Sequence, residues 1–167
     1  MIAELTLRSA GDAADPGLFD AVVWALDEIG RAGPERTRDA ALGGAWRILG
    51  ELGIAPTIDT CSECHASIDP DAAAVFSHRA GGALCDRCGG LARTGRTLPP
   101  TARAALRDWL GAGEHALAET VDVRAHQRLL REFLREHLPD DRPLSAFDSW
   151  ERGALDARPP ATAGELR

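Results

Sequence analysis

Four cysteines constrain this chain more than any other feature. They read Cys61-Ser-Glu-Cys64, then twenty residues, then Cys85-Asp-Arg-Cys88, and no other cysteine occurs in the 167 residues. A two-residue spacing lets one tight turn aim both sulfurs at a single point. Two such turns supply the four thiolates of a closed tetrahedral zinc site, with Cys61, Cys64, Cys85 and Cys88 as ligands. Four protein ligands leave no position for water or substrate, so the predicted Zn²⁺ is structural. His65 and His78 lie within the stretch, but four cysteines already fill the shell. Two other uses of the cysteines stand beside this one. One is a redox dithiol, which lacks the βαβ surroundings such motifs usually have; the other is a set of unrelated free thiols.

Charge narrows the possible partners. The chain carries 26 acidic and 19 basic residues, a formal charge of −7. A zinc ion held by four thiolates takes that to about −9. Non-specific affinity for duplex DNA comes from basic charge meeting phosphates, so a chain this acidic is a poor DNA binder alone. Every basic residue is Arg and none is Lys. No apolar run approaches the roughly 20 residues that span a bilayer. The start, Met1 to Arg8, lacks the basic region and long apolar core of a signal peptide. These features predict a soluble, cytoplasmic protein away from membranes, where a reducing environment favours metal over disulfide.

Along the chain, Ile2, Leu5 and Leu7 alternate weakly and predict a short strand, with residues 1–14 as strand and linker. Asp15-Pro16 is a helix start, an N-cap followed by proline. Leu18, Phe19, Val22, Val23, Leu26 and Ile29 then form a broad apolar stripe. A second helix is expected from Pro34 or Glu35 to Leu52, closed by Gly53 with Ile54 folding back. In the cysteine region, 72–76 predicts a strand and Gly81-Gly82 a turn, the pattern of a zinc ribbon or knuckle. Gly89 is expected at positive φ beside the second pair. Pro99-Pro100 opens a third helix bearing Leu106, Trp109 and Leu110. A fourth, capped by Asp122, runs to Leu138. Leu144, Phe147 and Trp150 recur every three residues, as in a short helical turn. From residue 151 to 167 little can be buried, which predicts disorder.

No catalytic constellation is present. The chain has no Gly-x-x-x-x-Gly-Lys loop, no Gly-x-Ser-x-Gly elbow and no His-Glu-x-x-His. His115, His126 and His137 are scattered on helices without a nucleophile to serve. With no such motif, the chain is expected not to be an enzyme. Arg124, Arg128, Arg131 and Arg135 recur at spacings of four, three and four on the fourth helix. They form either a solvated face or a site for an acidic partner, whose carboxylates Arg engages bidentately. Trp24, Trp46 and Trp109 sit on apolar faces and are expected in the core.

Four blocks together resemble the RecO family of bacterial recombination mediators. They are Trp46-Arg-Ile-Leu-Gly-Glu-Leu-Gly-Ile-Ala-Pro56, Phe76-Ser-His-Arg-Ala-Gly-Gly-Ala-Leu-Cys85, Arg128-Leu-Leu-Arg-Glu-Phe-Leu-Arg-Glu-His-Leu138 and Arg142-Pro-Leu-Ser-Ala-Phe147. The resemblance covers roughly 15–150. It implies a mostly α fold: a four-helix RecO C-terminal-like domain with an inserted four-cysteine zinc module at 57–92. It also implies a preceding OB-fold barrel, for which at most the Ile2–Leu7 strand would stand here. RecO-like proteins work in DNA repair with RecR and with single-strand binding protein, whose acidic C-terminal tail docks on the helical domain. The resemblance therefore implies an interaction domain with weak DNA binding of its own. A thiol or redox protein, and a zinc-ribbon nucleic-acid regulator, are the alternatives. The second is disfavoured by the acidic residues Asp59, Glu63, Asp69, Asp71 and Asp86 around the cysteines.

Overall fold

The computed structural model describes residues 1–11, 13–111, 123–138 and 142–151. His115, Asp122 and the tail expected to be disordered lie outside the described residues. Among those described, the chain forms α1 (Ile2–Ser9), α2 (Pro16–Arg31), α3 (Thr37–Glu51), β1 (Ala74–Ser77), β2 (Gly82–Leu84), α4 (Asp86–Leu91), β3 (Arg96–Leu98), α5 (Pro100–Leu110), α6 (Val123–His137) and α7 (Ser145–Glu151).

The fold is mostly helical, as predicted, and α3 lies at its centre. From Asp39 to Leu49 every residue except Arg47 is buried. A helix apolar all round belongs inside, enclosed by its neighbours. Its end follows from sequence. Gly53 sits at φ 74°, the left-handed cap. Its N–H donates to the Gly50 carbonyl, and the Ile54 N–H to that of Leu49. That is the Schellman pattern.

The expected strand at Ile2–Leu7 is instead the helix α1. Ile2 and Leu5 are buried one turn apart, while Leu7 is 83% exposed. The spacing of three suits a helix docking one edge, and an isolated strand would have no partner.

The broad stripe of α2 also turns out differently. Asp15 caps the helix, its Oδ1 accepting from the Leu18 N–H at 3.0 Å. The buried face, however, is Leu18, Ala21 and Ala25, and Phe19, Val23 and Leu26 are exposed. The cause is close approach to α3. A Cβ on Gly44 would lie 2.6 Å from the Ala25 Cβ and 3.3 Å from the Ala25 Cα. Where two backbones come this near, only small residues fit between them, so larger ones rotate outward. Trp24 is half-buried, with the Arg47 guanidinium 4.5 Å above its ring.

Phe133 of α6 joins the core by stacking between Trp46 and Phe76, with ring centroids 5.3 and 6.0 Å away. Leu144, Phe147 and Trp150 are buried as their spacing implied. Helix α7 is capped from far away in sequence. The Glu4 carboxylate accepts from the Ser145 and Ala146 N–H groups and the Ser145 hydroxyl. Burial raises the Glu4 pKa, but these hydrogen bonds outweigh it and hold it below the usual value.

The three strands form one antiparallel sheet in the order β2-β1-β3. β3 was not expected, and it carries the cysteine module beyond residue 92 to Leu98. Strand β1 serves two cores. Phe76 enters the main helical core, while Ala74 joins Cys61, Ile68, Ala83 and Leu84 in a second, smaller one. No helix among the described residues is long and apolar enough to cross a membrane.

Candidate metal centre

The first cysteine pair lies on a tight turn after α3. The His65 N–H donates to the Cys61 carbonyl, and the Cys61 N–H to that of Ala66. The turn needs one left-handed residue, and His65 supplies it at φ 59° where glycine is usual. The second pair brackets the start of α4, with Cys85 as its N-cap. Gly89 is not at positive φ. It is helical, and a Cβ there would meet Val75 Cγ2 at 2.8 Å. The glycine is needed for close packing of α4 on β1.

Gly82 joins the two halves. A Cβ on it would lie 2.3 Å from the Thr57 carbonyl oxygen and 2.8 Å from Ser62 Oγ. That approach lets the Ala83 N–H reach the Thr57 carbonyl and the Ser62 N–H reach the Ala83 carbonyl. The hairpin is thereby laid against the first turn.

The result is convergence. The four sulfurs of Cys61, Cys64, Cys85 and Cys88 lie within 4.8 Å of one another. Cys64 Sγ and Cys85 Sγ are 3.7 Å apart. Four sulfurs about 2.3 Å from a central ion stand about 3.8 Å from each other, so the spacing is compatible with a tetrahedral thiolate site. Burial raises the Cys61 pKa, but amides of Cys64, Cys85 and Glu63 directed at its sulfur lower it more, to about 6. The Cys88 thiol is pushed up to about 12, mainly by its hydrogen bond to Cys64. The cluster thus favours a thiolate at Cys61 and a thiol at Cys88, and a bound dication would displace that proton. The donor set fits a structural metal. It fits a redox dithiol less well, because the thiol with the lowered pKa, Cys61, is wholly buried and reactive thiols need access.

Side chains that sequence reasoning passed over anchor this centre to the helices. Arg103 of α5 is completely buried. It donates to the carbonyls of Asp69 and Ala72 at 2.7 Å each, and to those of Ile58 and Ile68 at 3.2 and 3.4 Å. One turn on, Arg107 grips Asp59 with both Nε and Nη2, at 2.8 and 2.6 Å. Arg107 holds the Asp59 carboxyl below its usual range. The signal was visible, since Arg103 lies three residues before Leu106 on the apolar face of its helix.

On the opposite side, Glu132 of α6 pairs with Arg96 of β3, and its Oε2 lies 2.8 Å from His78 Nε2. Burial lowers the His78 pKa despite that carboxylate. His137 Nε2 reaches the His78 carbonyl at 2.9 Å. His126 is buried edge-on to Trp109. Among the described residues none of these histidines joins the sulfur cluster. Of the arginine series on α6, Arg124, Arg128 and Arg135 are exposed and Arg131 is half-buried, 3.8 Å from Asp148.

Residues 1–146 match the family described as Recombination protein O C terminal. The chain belongs to that family. Its members are non-catalytic mediators of recombination and repair. The match includes α1, the segment expected as a strand closing a barrel. No curated protein and no solved structure matches the chain.

Proposed function

We propose that this RecO C-terminal domain is a partner-docking unit in recombinational DNA repair, held in shape by one structural Zn²⁺ on Cys61, Cys64, Cys85 and Cys88. The observation that carries the reading is the convergence of four sulfurs within 4.8 Å in a chain of this family. RecR and the acidic C-terminal tail of single-strand binding protein are the proposed partners, acting in the cytoplasm. The proposed docking face for the tail is Arg124, Arg128, Arg131 and Arg135 on α6. Their guanidinium groups suit carboxylates, and the net charge of −7 makes DNA binding weak.

Metal analysis of the purified chain tests the first part, with one zinc per chain expected. Cys61→Ser and Cys88→Ser should lose zinc and unfold the module, whose small core does not suffice alone. Retention of zinc by both variants would sink the assignment. Titration with an acidic peptide ending in an apolar residue, at low salt, tests the second part. Arg128→Glu and Arg131→Glu should weaken binding; if both bind like the wild type, the α6 arginines are solvated surface.

A further inference from the structure

The outer side of α2 is apolar where it meets solvent. Phe19, Val23 and Leu26 are 67%, 42% and 54% exposed. They recur at spacings of four and three, so they form one ridge along the helix. Gly30 follows at the next ridge position, where a Cβ would meet nothing within 4 Å. Half-buried Val22 and Ile29 join the ridge to the core. The apolar face of α2 is therefore wider than its neighbours cover. Single exposed apolar residues are ordinary; a contiguous ridge of them marks an interaction surface.

Beside the ridge lies a groove of about 540 Å³, between the end of α1 and the start of α2. Phe19 and Val22 line it together with Thr6, Ala10, Pro16 and Leu52. This mostly apolar lining suits an aliphatic anchor side chain. The rim is acidic. Asp15 lines the groove. The Glu51 carboxylate stands beside the first turn of α2, where a Cβ on Gly17 would meet its Oε2 at 2.8 Å. Helix α2 itself carries Asp20, Asp27 and Glu28 against one cation, Arg31. Asp27 and Glu28 both hold that guanidinium. Arg47 of α3, the other cation beside α2, lies over the Trp24 ring. Asp20 and Glu51 have no ion pair among the described residues.

We infer that the α2 ridge and its groove dock a basic amphipathic helix of a partner protein, with aliphatic residues at helical spacing and Lys or Arg along its edges. Its apolar stripe covers Phe19, Val23 and Leu26, and one aliphatic side chain enters the groove. Its cations meet Asp20, Asp15 and Glu51. This is helix-in-groove recognition, read through anchors three, four and seven residues apart. A second copy of the chain is the other occupant to weigh. Antiparallel pairing of two α2 helices about Val23 would set Asp20 of each copy against Asp27 of the other, and like charges oppose that. The basic helix α6 of a second copy has its apolar side, Leu130, Phe133 and Leu134, buried in its own core, so it cannot cover the ridge. Charge and apolar pattern together select a foreign helix of opposite sign. The site uses neither the metal nor the α6 arginines.

The test is titration of the purified chain with an acetylated, amidated Leu-Lys-Lys-Leu-Leu-Lys-Lys-Leu-Leu-Lys-Lys-Leu peptide, followed by amide chemical shifts. The same peptide with Glu for every Lys, and one with its order scrambled, are the comparison arms. The shifts of Ala10, Phe19, Val23 and Leu26 should move. Val23→Ser and Leu26→Ser should each weaken binding about tenfold, and Asp20→Arg about threefold. Circular dichroism should stay unchanged, since all three side chains are exposed. Arg128→Glu should leave this binding intact. Equal binding of the scrambled peptide would overturn the ridge as a helix site, and equal binding of the glutamate peptide would overturn the basic partner. A dimer of the chain in sedimentation, dissociated by Leu26→Ser, would make the occupant a second copy and overturn the choice. No shift on α2 would overturn the site while leaving the α6 face standing.

Discussion

Replacing Arg103 with methionine removes the one side chain that ties α5 to four separate carbonyls of the metal module. The two bonds at 2.7 Å are charge-assisted and short, and each is worth about 1.5–3 kcal/mol. The pair at 3.2 and 3.4 Å adds little. Against this, the variant no longer buries a guanidinium. Burial penalises that charge, and its nearest carboxylate, Asp59, is 3.9 Å away and already held by Arg107. The carbonyls left behind are enclosed and cannot all reach water. The net loss should be about 3–5 kcal/mol, as when one partner of a buried charged contact is deleted. A domain with 5–15 kcal/mol in total would then be close to unfolding. The assay is urea denaturation in excess zinc, read by tryptophan fluorescence. The midpoint should fall by about 2 M at an ordinary slope for this size. Zinc should also pass faster to a chromogenic chelator, because the module loses its clamp. Arg103→Lys should fall between, since an ammonium cannot fork to four acceptors. A methionine variant within about 1 kcal/mol of wild type, with unchanged zinc release, would refute the reasoning.

Three further outcomes follow from the packing and titration. Gly44→Ala should destabilise by about 1–2 kcal/mol despite better helix propensity, because the new methyl meets Ala25 at 2.6 Å; Gly50→Ala, where a Cβ meets nothing within 4 Å, should stabilise by about 0.5–1 kcal/mol in the same urea assay. Glu4→Ala should cost about 1 kcal/mol by uncapping α7, and amide exchange at Ser145 and Ala146 should speed up. His78 has a folded pKa lowered from 6.5 by burial, with Glu132 and Glu136 opposing and Arg96 assisting. A base so shifted contributes stability above its unfolded pKa and loses it as pH falls below about 6.5. Thermal stability should therefore decline from pH 7 to 5.5, and His78→Gln should flatten that slope.

The clustering of the four cysteines was the most legible part of the chain, because two Cys-x-x-Cys turns at fixed spacing aim their sulfurs at one point. Caps were legible for the same reason: Asp15-Pro16 and Gly53-Ile54 are local instructions. The inner face of α2 was not. Hydrophobicity alone favours Phe19, Val23 and Leu26, and the decision lay in Gly44 on another helix, which lets the backbones approach at Ala25. Segment Ile2–Leu7 was too short for period two and period three to separate, and burial against α3 decided. Strand β3 offered only three residues. Its identity depends on pairing with β1, and no local pattern announces a partner that far away.

The longest-range contacts explain why a four-cysteine module in this family need not behave as a detachable finger. Its own core holds Cys61, Ile68, Ala74, Ala83 and Leu84, too few to outweigh the entropy of ordering the loop without metal. Yet Ile58, Phe76 and Leu98, which frame it, belong to the helical core. Arg103 fills the seam on one side, and the Glu132 contacts to His78 and Arg96 fill it on the other. Loss of a bound metal should free the carbonyls that satisfy Arg103 and loosen Phe76 against Phe133 and, through it, Trp46. The cost therefore spreads into the helices instead of staying in the hairpin. By the same route, the α6 arginines and the β1–β2 turn are held in one fixed relation, because Glu132 and His137 of α6 grip that turn at His78.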